Sequence, residues 1–571
     1  MDLLLDNFKY LTHTPKNLAQ LKKLVLQLAV QGKLTVKWRE ENPDVEPATV
    51  LLEKIKAEKE NLTKKGLSIR EVSYSTIEKE LKPYMIPKNW AWCSLCQLAD
   101  IVRGGSPRPA GSPTYYNGAI PFLKVADITK NENVYLNDFK YSIKEAGLNS
   151  TRLVAANTLL LTNSGATLGV PKICTFPTTF NDGVQAFINL TELVDKVYLY
   201  YFLRSETENM RKKAENGGQP NLNTEMTKVL LCPIPPLTEQ HAIVSKVEIL
   251  FAQIDQLHEL SLKKASITDN SAKALFGKIN TITGIEDLQI TWQLLTSNFN
   301  AVTQSKEGVN QLRQTILQLA FQGKLTTQWR VENPDAFPAS TILEEIKTEK
   351  QQLTKEGKLR KELHVHKIAQ NEQPFKVPVS WEWDRMGAIS QHNSGKTLDS
   401  GRNKGELQKY ITTSNLYWGY FKLDNVKSFL ISDNELDRCS AVKGDLLICE
   451  GGEAGRTAVW EEPYSICFQN HIHRVRLYGN INPYFVFRYF QKLNFSGEIN
   501  EYRKGMGISN MSSGSLASIP IPIPPIAEQE VIVSNINHLM SLCDELEKKI
   551  EKRDSYQERI MQAVVKQAFV V

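Results

Sequence analysis

Four short stretches of this chain hold residues of the types that bind metals or transfer groups, and each is incomplete. Cys93-Ser94-Leu95-Cys96 has the spacing of half a zinc site, but a structural zinc needs a second pair and no other C-x-x-C occurs. His471 and His473 alternate along a strand-like run, which puts two imidazoles on one face with no third ligand evident. Asn482-Pro483-Tyr484-Phe485 shares part of the Asn/Asp-Pro-Pro-Tyr/Phe motif with which amino-methyltransferases hold a target amine. It lacks the second proline, and no glycine-rich nucleotide turn follows a strand upstream. An Asn cap with Pro in the first turn of a helix explains it better. Pro334-Asp335 followed by Glu345-Ile346-Lys347 mimics the carboxylate pair of a Mg²⁺ nuclease. Such carboxylates sit on adjacent strands, whereas this stretch reads as a charged helix. No G-x₄-G-K-[ST] loop is present for ATP. The expectation is a chain with no catalytic residue and no metal site of its own, hence not an enzyme.

The elements that would carry any function are legible from a duplication. Residues 26–35 read LQLAVQGKLT and residues 317–326 read LQLAFQGKLT. The match continues through WREENPD and WRVENPD, then LLEKIKAEK and ILEEIKTEK, to the W-x-W pairs Trp90/Trp92 and Trp381/Trp383, all at an offset of 291. A second matched block, PIPPLTEQ at Pro233–Gln240 and PIPPIAEQ at Pro522–Gln529, has an offset of 289. Between the blocks, roughly residues 97–218 and 388–507, the halves diverge while keeping nearly equal length. In the second half, Asp384 and Gly387 stand where Cys93 and Cys96 do, which further weakens the zinc reading.

Helices follow each PIPP block. Ile243, Val247, Leu250, Ile254 and Leu257 form a heptad seam, as do Ile532, Ile536, Leu539, Cys543, Leu546 and Ile550. The arms carry a similar stripe, Leu18, Leu21, Val25 and Leu28, matched by Val309, Leu312, Ile316 and Leu319. Each arm helix stops at a glycine, Gly32 or Gly323. The two spacer seams at equivalent positions predict pairing with each other. In the divergent parts, Ile120–Val125, Thr158–Thr162, Asp445–Cys449 and His473–Leu477 read as strands, and the aromatic runs Tyr198–Phe202 and Tyr484–Phe490 as buried helix. The fold class is therefore α/β (α+β): two mixed α/β domains separated by long helices forming an antiparallel coiled coil, duplicated about a pseudo-two-fold. The expected boundaries are an arm at 1–85, a first domain at 86–236, a spacer helix at 237–283, a linker and second arm at 284–376, a second domain at 377–525, and a second spacer helix at 526–571.

Composition agrees with a globular protein that can meet DNA. The formal charge is +6 from 69 basic and 63 acidic residues, with 41% hydrophobic and 23% charged residues. The opening Met1-Asp2-Leu3 lacks a signal-peptide layout, no apolar run approaches the ~20 residues of a membrane span, and the eight cysteines are scattered. A cytoplasmic protein with reduced thiols, away from membranes, is expected.

On these residues the sequence resembles the specificity subunits of type I restriction–modification systems. The resemblance is carried by IPKNWAW and VPVSWEW, Gly104–Pro107, Ile120–Thr129, Asn157–Gly169, Lys443–Ile448, both PIPP-x-x-EQ closures and both LQLA-x-QGKLT arms, and it covers nearly the whole chain. It implies that each divergent domain is a target-recognition domain reading one half of a bipartite double-stranded DNA target, with the helices as a ruler for the gap. It also implies two modification subunits that methylate adenine with S-adenosylmethionine, and restriction subunits that use ATP and Mg²⁺, so that this chain binds no cofactor itself. Here the arm precedes each domain and no third arm follows, a permuted layout that the family tolerates. A chain carrying its own methyltransferase or nuclease centre would need a cofactor loop. A bare coiled-coil scaffold would leave two large divergent inserts unexplained.

Given that resemblance, sequence readout calls for Arg, Lys, Asn, Gln, Ser or Thr on turns that reach base edges and phosphates. In the first domain the candidates are Arg103, Ser106, Arg108, Lys124, Asn163, Ser164, Thr167, Gln219, Asn221 and Asn223. In the second they are Lys396, Arg402, Glu450, Arg456, His471, Arg474, Arg503, Lys504 and Asn510.

Overall fold

The arm helix α1 (Pro15–Val30) ends because Gly32 turns left-handed, with φ of 71°, so that Lys33 N–H reaches back to the Leu28 carbonyl at 2.9 Å. A side chain there would also collide with Pro87, whose Cγ would lie 2.6 Å from a Cβ. After α2 (Ala48–Lys64) the chain enters the first domain. The computed structural model describes residues 15–68, 82–214, 221–282, 285–357, 368–399, 401, 404–505 and 509–570. They fall into two units, residues 1–263 with 555–571, and residues 264–554.

In the first unit, β1 (Ala91–Ser94) leads to β2 (Asp100–Arg103), β3 (Tyr116–Leu123), β4 (Tyr135–Leu136), β5 (Thr158–Thr162), β6 (Pro171–Cys174), β7 (Thr178–Phe180), β8 (Val184–Ile188), α3 (Lys196–Ala214) and β9 (Leu231–Ile234). A five-stranded sheet runs β2-β8-β5-β6-β4, and a second sheet sets β3 parallel to β7 between two short edge pairings. β1 pairs with β9 so that Trp92 faces Pro233, the first proline of the PIPP block. The helix α4 (Leu237–Thr281) starts directly after that block.

The second unit repeats this plan. The helices α5 (Ile285–Val302), α6 (Lys306–Phe321) and α7 (Ala339–Lys355) precede β10 (Glu382–Arg385), β11 (Ser390–Ser394), β12 (Glu406–Ile411) and β13 (Lys427–Ile431). Then come β14 (Leu446–Cys449), β15 (Thr457–Val459), β16 (Ile466–Phe468), β17 (Ile472–Leu477), α8 (Pro483–Ser496), β18 (Pro520–Ile523) and α9 (Ile526–Val570). The sheet β11-β17-β14-β15 matches four of the five strands of the first unit's main sheet, the sheet β13-β12-β16 with Ser440–Ala441 at its far edge matches the second, and Trp383 faces Pro522 in the β10–β18 pair. The left-handed Gly323 (φ 70°) against Pro378 mirrors Gly32 against Pro87.

The heptad seams pack against the arm helices of their own halves. Ile243 and Val247 are fully buried in one core with Leu26, Ala29 and Val30 of α1 and with the first domain, while Ile254 packs with Leu18, Leu21, Leu24 and Met561. Leu250 and Leu257 are half-buried on the same side of α4. Lys22 pairs with Asp255 at 2.5 Å at one end of this helix pair and Arg39 with Glu239 at the other, so α1 and α4 run antiparallel. In the second unit Ile532, Ile536, Cys543 and Ile550 join Val309 and Ile316 of α6 in one core, with Leu539 and Leu546 packed against it. Arg313 bridges Asp544 and Glu547 at 2.6 and 2.8 Å. In each half the arm stripe packs antiparallel against the seam, and Ile254 of α4 also meets Met561 of α9. Each fully buried Ile or Val contributes about 1.5–3 kcal/mol over exposure, so covering the seams with the arm stripes stabilises each unit.

The other sequence readings resolve as follows. The aromatic runs lie in α3 and α8, with Tyr198, Phe202, Phe485 and Tyr489 buried. Asn482 caps α8, accepting from Tyr484 N–H at 2.9 Å, with Pro483 in the first turn. Glu345 and Lys347 are exposed on helix α7. The predicted strand at 120–125 begins earlier, at Tyr116, and stops at Leu123 because Asp127 accepts from the Lys124 N–H at 2.8 Å and starts a helical turn. Among the described residues no helix is long and apolar enough to cross a membrane.

Candidate nucleic-acid interface

At one end of the first domain's main sheet, four chain segments are tied together by backbone. Gly104 N–H donates to Val184 O (3.0 Å), Gly105 N–H to Phe180 O (3.1 Å), Asn163 N–H to Gly183 O (2.9 Å) and Leu222 N–H to Asn163 O (2.8 Å). Ser164 bridges to Asn221, and the Gln185 side chain donates to Leu222 O at 2.7 Å. Glycine is required at 104, because a Cβ would lie 2.3 Å from Phe180 O and 2.4 Å from Asn181 O.

The second domain builds the same frame from different residues. Gly395 N–H donates to Ile472 O (3.2 Å), Lys396 N–H to Phe468 O (2.9 Å), Glu450 N–H to His471 O (2.8 Å) and Met511 N–H to Glu450 O (2.8 Å). Gly451 pairs with Asn510, and the His473 ring lies 2.9 Å from Met511 O. A Cβ on Gly395 would meet Phe468 O and Gln469 O, each at 2.3 Å. These contacts align the two domains residue by residue: Arg103 with Ser394, Gly105 with Lys396, Asn163 with Glu450, Asp182 with Asn470, Gly183 with His471, Gln185 with His473 and Asn221 with Asn510.

Around the first frame the polar side chains converge on the turn Asn181-Asp182-Gly183. Arg103 Nε donates to Asp182 O at 2.7 Å, and Ser106 Oγ to Asp182 Oδ1 at 2.8 Å. Lys124, next to this turn, holds its ammonium 3.7 Å from the centroid of the Tyr141 ring, a cation–π contact. Arg108, Thr167 and Asn221 are exposed, and Ser164 is half-buried. Two candidates are taken by the fold. Asn163 is fully buried and donates to Asp182 O at 3.3 Å, and Asn223 caps the short helix Thr224–Lys228 through Met226 N–H at 2.8 Å. Gln219 lies outside the described residues.

In the second domain His471, Lys504 and Asn510 are exposed and Glu450 is half-buried beside them; Lys504 and Asn510 exchange backbone hydrogen bonds of 2.8 and 2.9 Å. Lys396 forms an ion pair with Glu435. Arg456 is anchored by Glu453 (3.0 Å) and Thr413 O (2.7 Å), and Arg503 by Ala454 O (2.8 Å) and Asn500 Oδ1 (2.8 Å), so both hold loops in place. Arg474 is a correction. It is 2% exposed and donates to Asp437 O and Ser440 O at 2.8 and 2.6 Å; the inward phase of β17 aims it into the domain, and burial holds its pKa below the usual guanidinium range. The two imidazoles also part company: His471 precedes β17 in an exposed turn, while His473 is buried within it. Arg402 lies outside the described residues.

Sequence reasoning missed Arg152, whose Nε donates to Arg103 O at 3.0 Å, and Arg438, which reaches Ser394 O at 3.1 Å. Asp182 and Asn470 also lie in the frame outside the sequence candidates, because a search for cations and turn amides passes over a carboxylate and does not show which turns share a frame. Among the described residues no cluster of three or more His, Cys, Asp or Glu side chains could hold a metal. Cys93 and Cys96 are both buried.

Comparison with known proteins places this architecture. The family model for the type I restriction modification DNA specificity domain matches twice, over residues 87–268 and 378–553. The specificity subunit of the Escherichia coli type I restriction enzyme EcoAI is 26% identical over 92% of this chain and 90% of its own length. That of EcoEI, also from Escherichia coli, is 26% identical over 95% and 93%. A crystal structure of the HsdS subunit from Thermoanaerobacter tengcongensis covers 85% of this chain and 98% of its own at 15% identity, with a TM-score of 0.41. The duplicated domains, the paired frames and the two family matches agree: this chain belongs to the type I restriction–modification DNA specificity family, and its role is the non-catalytic one of supplying DNA sequence specificity.

Proposed function

We propose that each of the two domains reads one half of a bipartite double-stranded DNA target, and that α4 and α9 set the spacing between the halves and dock the partner subunits. The observation that carries this reading is the repeated frame: the same backbone contacts recur in both domains, around side chains that differ at equivalent positions. A bipartite, asymmetric target needs two readers of one build and different chemistry. In this reading two modification subunits bring S-adenosylmethionine and methylate adenine, restriction subunits bring ATP and Mg²⁺, and the complex works in the cytoplasm. Methylome sequencing of cells expressing this chain with its modification subunit should return one bipartite adenine motif. Replacing the first domain should then change one half of the motif and leave the other. A motif that survives the exchange whole would overturn the proposal.

A further inference from the structure

We infer that Asp182 and Asn470, at the same position of the two frames, are specificity-determining residues: Asp182, beside Arg103, selects a G·C pair in its half-site, and Asn470 selects an A·T pair in the other. The inference rests on the reading of each domain as a DNA reader.

Its first support is the geometry at Asp182. The carboxylate is held by Ser106 Oγ at 2.8 Å, and the Asp182 carbonyl accepts from Arg103 Nε at 2.7 Å and Asn163 Nδ2 at 3.3 Å. The turn is thereby fixed, yet the two charged tips remain open: the Arg103 and Asp182 side chains are 47% and 49% exposed, with Arg103 Nη2 4.0 Å from Asp182 Oδ2. A carboxylate on a surface facing phosphates repels them, so phosphate binding gives no reason for it to stand at the tip of this turn. It has a use against a base. The major-groove edge of a G·C pair shows two acceptors on guanine and an amine donor on cytosine, which match a guanidinium fork beside an acceptor-only carboxylate.

The second support is the other domain. There the turn is Gln469-Asn470-His471, held by Lys396 N–H on Phe468 O and by Glu450 N–H on His471 O, just as its counterpart is held. Arg103 is replaced by Ser394 and Asp182 by Asn470, so the charge pair becomes a neutral amide that both donates and accepts, the complement of adenine N6 and N7. The frame stays fixed while the recognition chemistry at its tip changes.

The test is competition binding by the complete complex with its modification subunit. The probes are duplexes carrying the methylome-defined target and variants with each base pair of both half-sites replaced in turn. Asp182→Asn keeps an acceptor for Ser106 and should lose tenfold or more of the preference for G·C at one position of one half-site, with the other half-site unaffected. Asn470→Asp should lose the A·T preference at one position of the opposite half-site by a similar factor. Equal weakening on every duplex, or unchanged discrimination at every position, would overturn the inference. If Asp182→Asn lowers the melting temperature and precludes binding, Asn470→Asp decides alone by the same criterion. Failure of the unmodified complex to prefer its target over a random duplex would instead bring down the DNA-reading proposal itself.

Discussion

Glu239 and Glu528 sit in the same surroundings in the two units, whereas Asp182 and Asn470 share a turn position and almost nothing else. Glu239 is fully buried and accepts from Thr35 Oγ1 (2.8 Å), Arg39 Nη1 (2.5 Å), Trp90 Nε1 (2.9 Å) and Asn89 Nδ2 (3.2 Å). Glu528, equally buried, takes the same bonds from Thr326 Oγ1 (2.6 Å), Arg330 and Trp381 Nε1 (2.9 Å). Next to them, Gln240 and Gln529 each donate to the proline carbonyl of the PIPP block at 3.0 Å and accept from the residue opening the aromatic helix segment. The QGKLT, WR, W-x-W and EQ motifs are therefore one joint, which bolts arm, domain and spacer helix together. A buried carboxylate needs its lone pairs satisfied, so the joint admits little change. The tip of the Asp182 turn is solvated and asks only for a fixed backbone, so its side chains can vary.

The largest effect expected from breaking this comparison is at the joint. Glu239→Ala strands the Arg39 guanidinium and should cost about 3–5 kcal/mol. Hydrogen–deuterium exchange should show lost protection of α1 and α2, and Glu528→Ala should do the same to α6 and α7. Retained protection in either case would remove that joint from the account.

Next in size is an acid sensitivity that the second unit draws from His392. His392 stands where the first unit has Ile101, and burial, with His473 beside it, holds its imidazole pKa down to about 4. Its stabilising contribution is complete above the unfolded value near 6.5 and is lost as pH falls from there to about 4, up to about 3 kcal/mol in all. Melting across that range should show the loss, and His392→Ile should flatten it.

A binding effect follows. Arg152→Gln should lower the salt slope of DNA binding by about 1, whereas Arg103→Gln should relax the preference for G·C at one position. Arg474→Ala should lower the melting temperature instead and leave the slope unchanged. The smallest effect compares Asn89 with its counterpart Ser380, whose buried hydroxyl has no hydrogen-bond partner among the described residues. Ser380→Asn should give Glu528 a fourth donor and raise stability by about 1 kcal/mol, with Asn89→Ser losing as much, both measurable by denaturant titration.

What could be read in the residues beforehand follows the same division. The repeated blocks disclosed the joint's members, and the PIPP blocks located the starts of α4 and α9, because buried, satisfied polar groups leave the same letters twice. That the arm stripe covers the seam was not legible, because arm and spacer helices carry stripes of the same kind, and periodicity does not say which stripe meets which. Reader positions were the least legible. Arg474 and Asn163 have the right side chains for DNA but point inward, and whether a strand residue faces core or solvent depends on register that residue type does not encode. Asp182 has the less obvious side chain and the better position.

The division into units carries a lesson for recombination and engineering. Each long helix starts in one unit and finishes in the other: α4 yields its residues from Lys264 onward, where Ala272, Phe276 and Ile279 pack with Leu295 and Val302, and the tail of α9 brings Met561 to Leu18, Leu21 and Leu24. A crossover between the halves would leave both products with mismatched tails. Breakpoints inside the β1–β9 and β10–β18 ribbons would trade only the reading inserts, so the natural cassette is the insert and the interleaved helices are the chassis that stays behind.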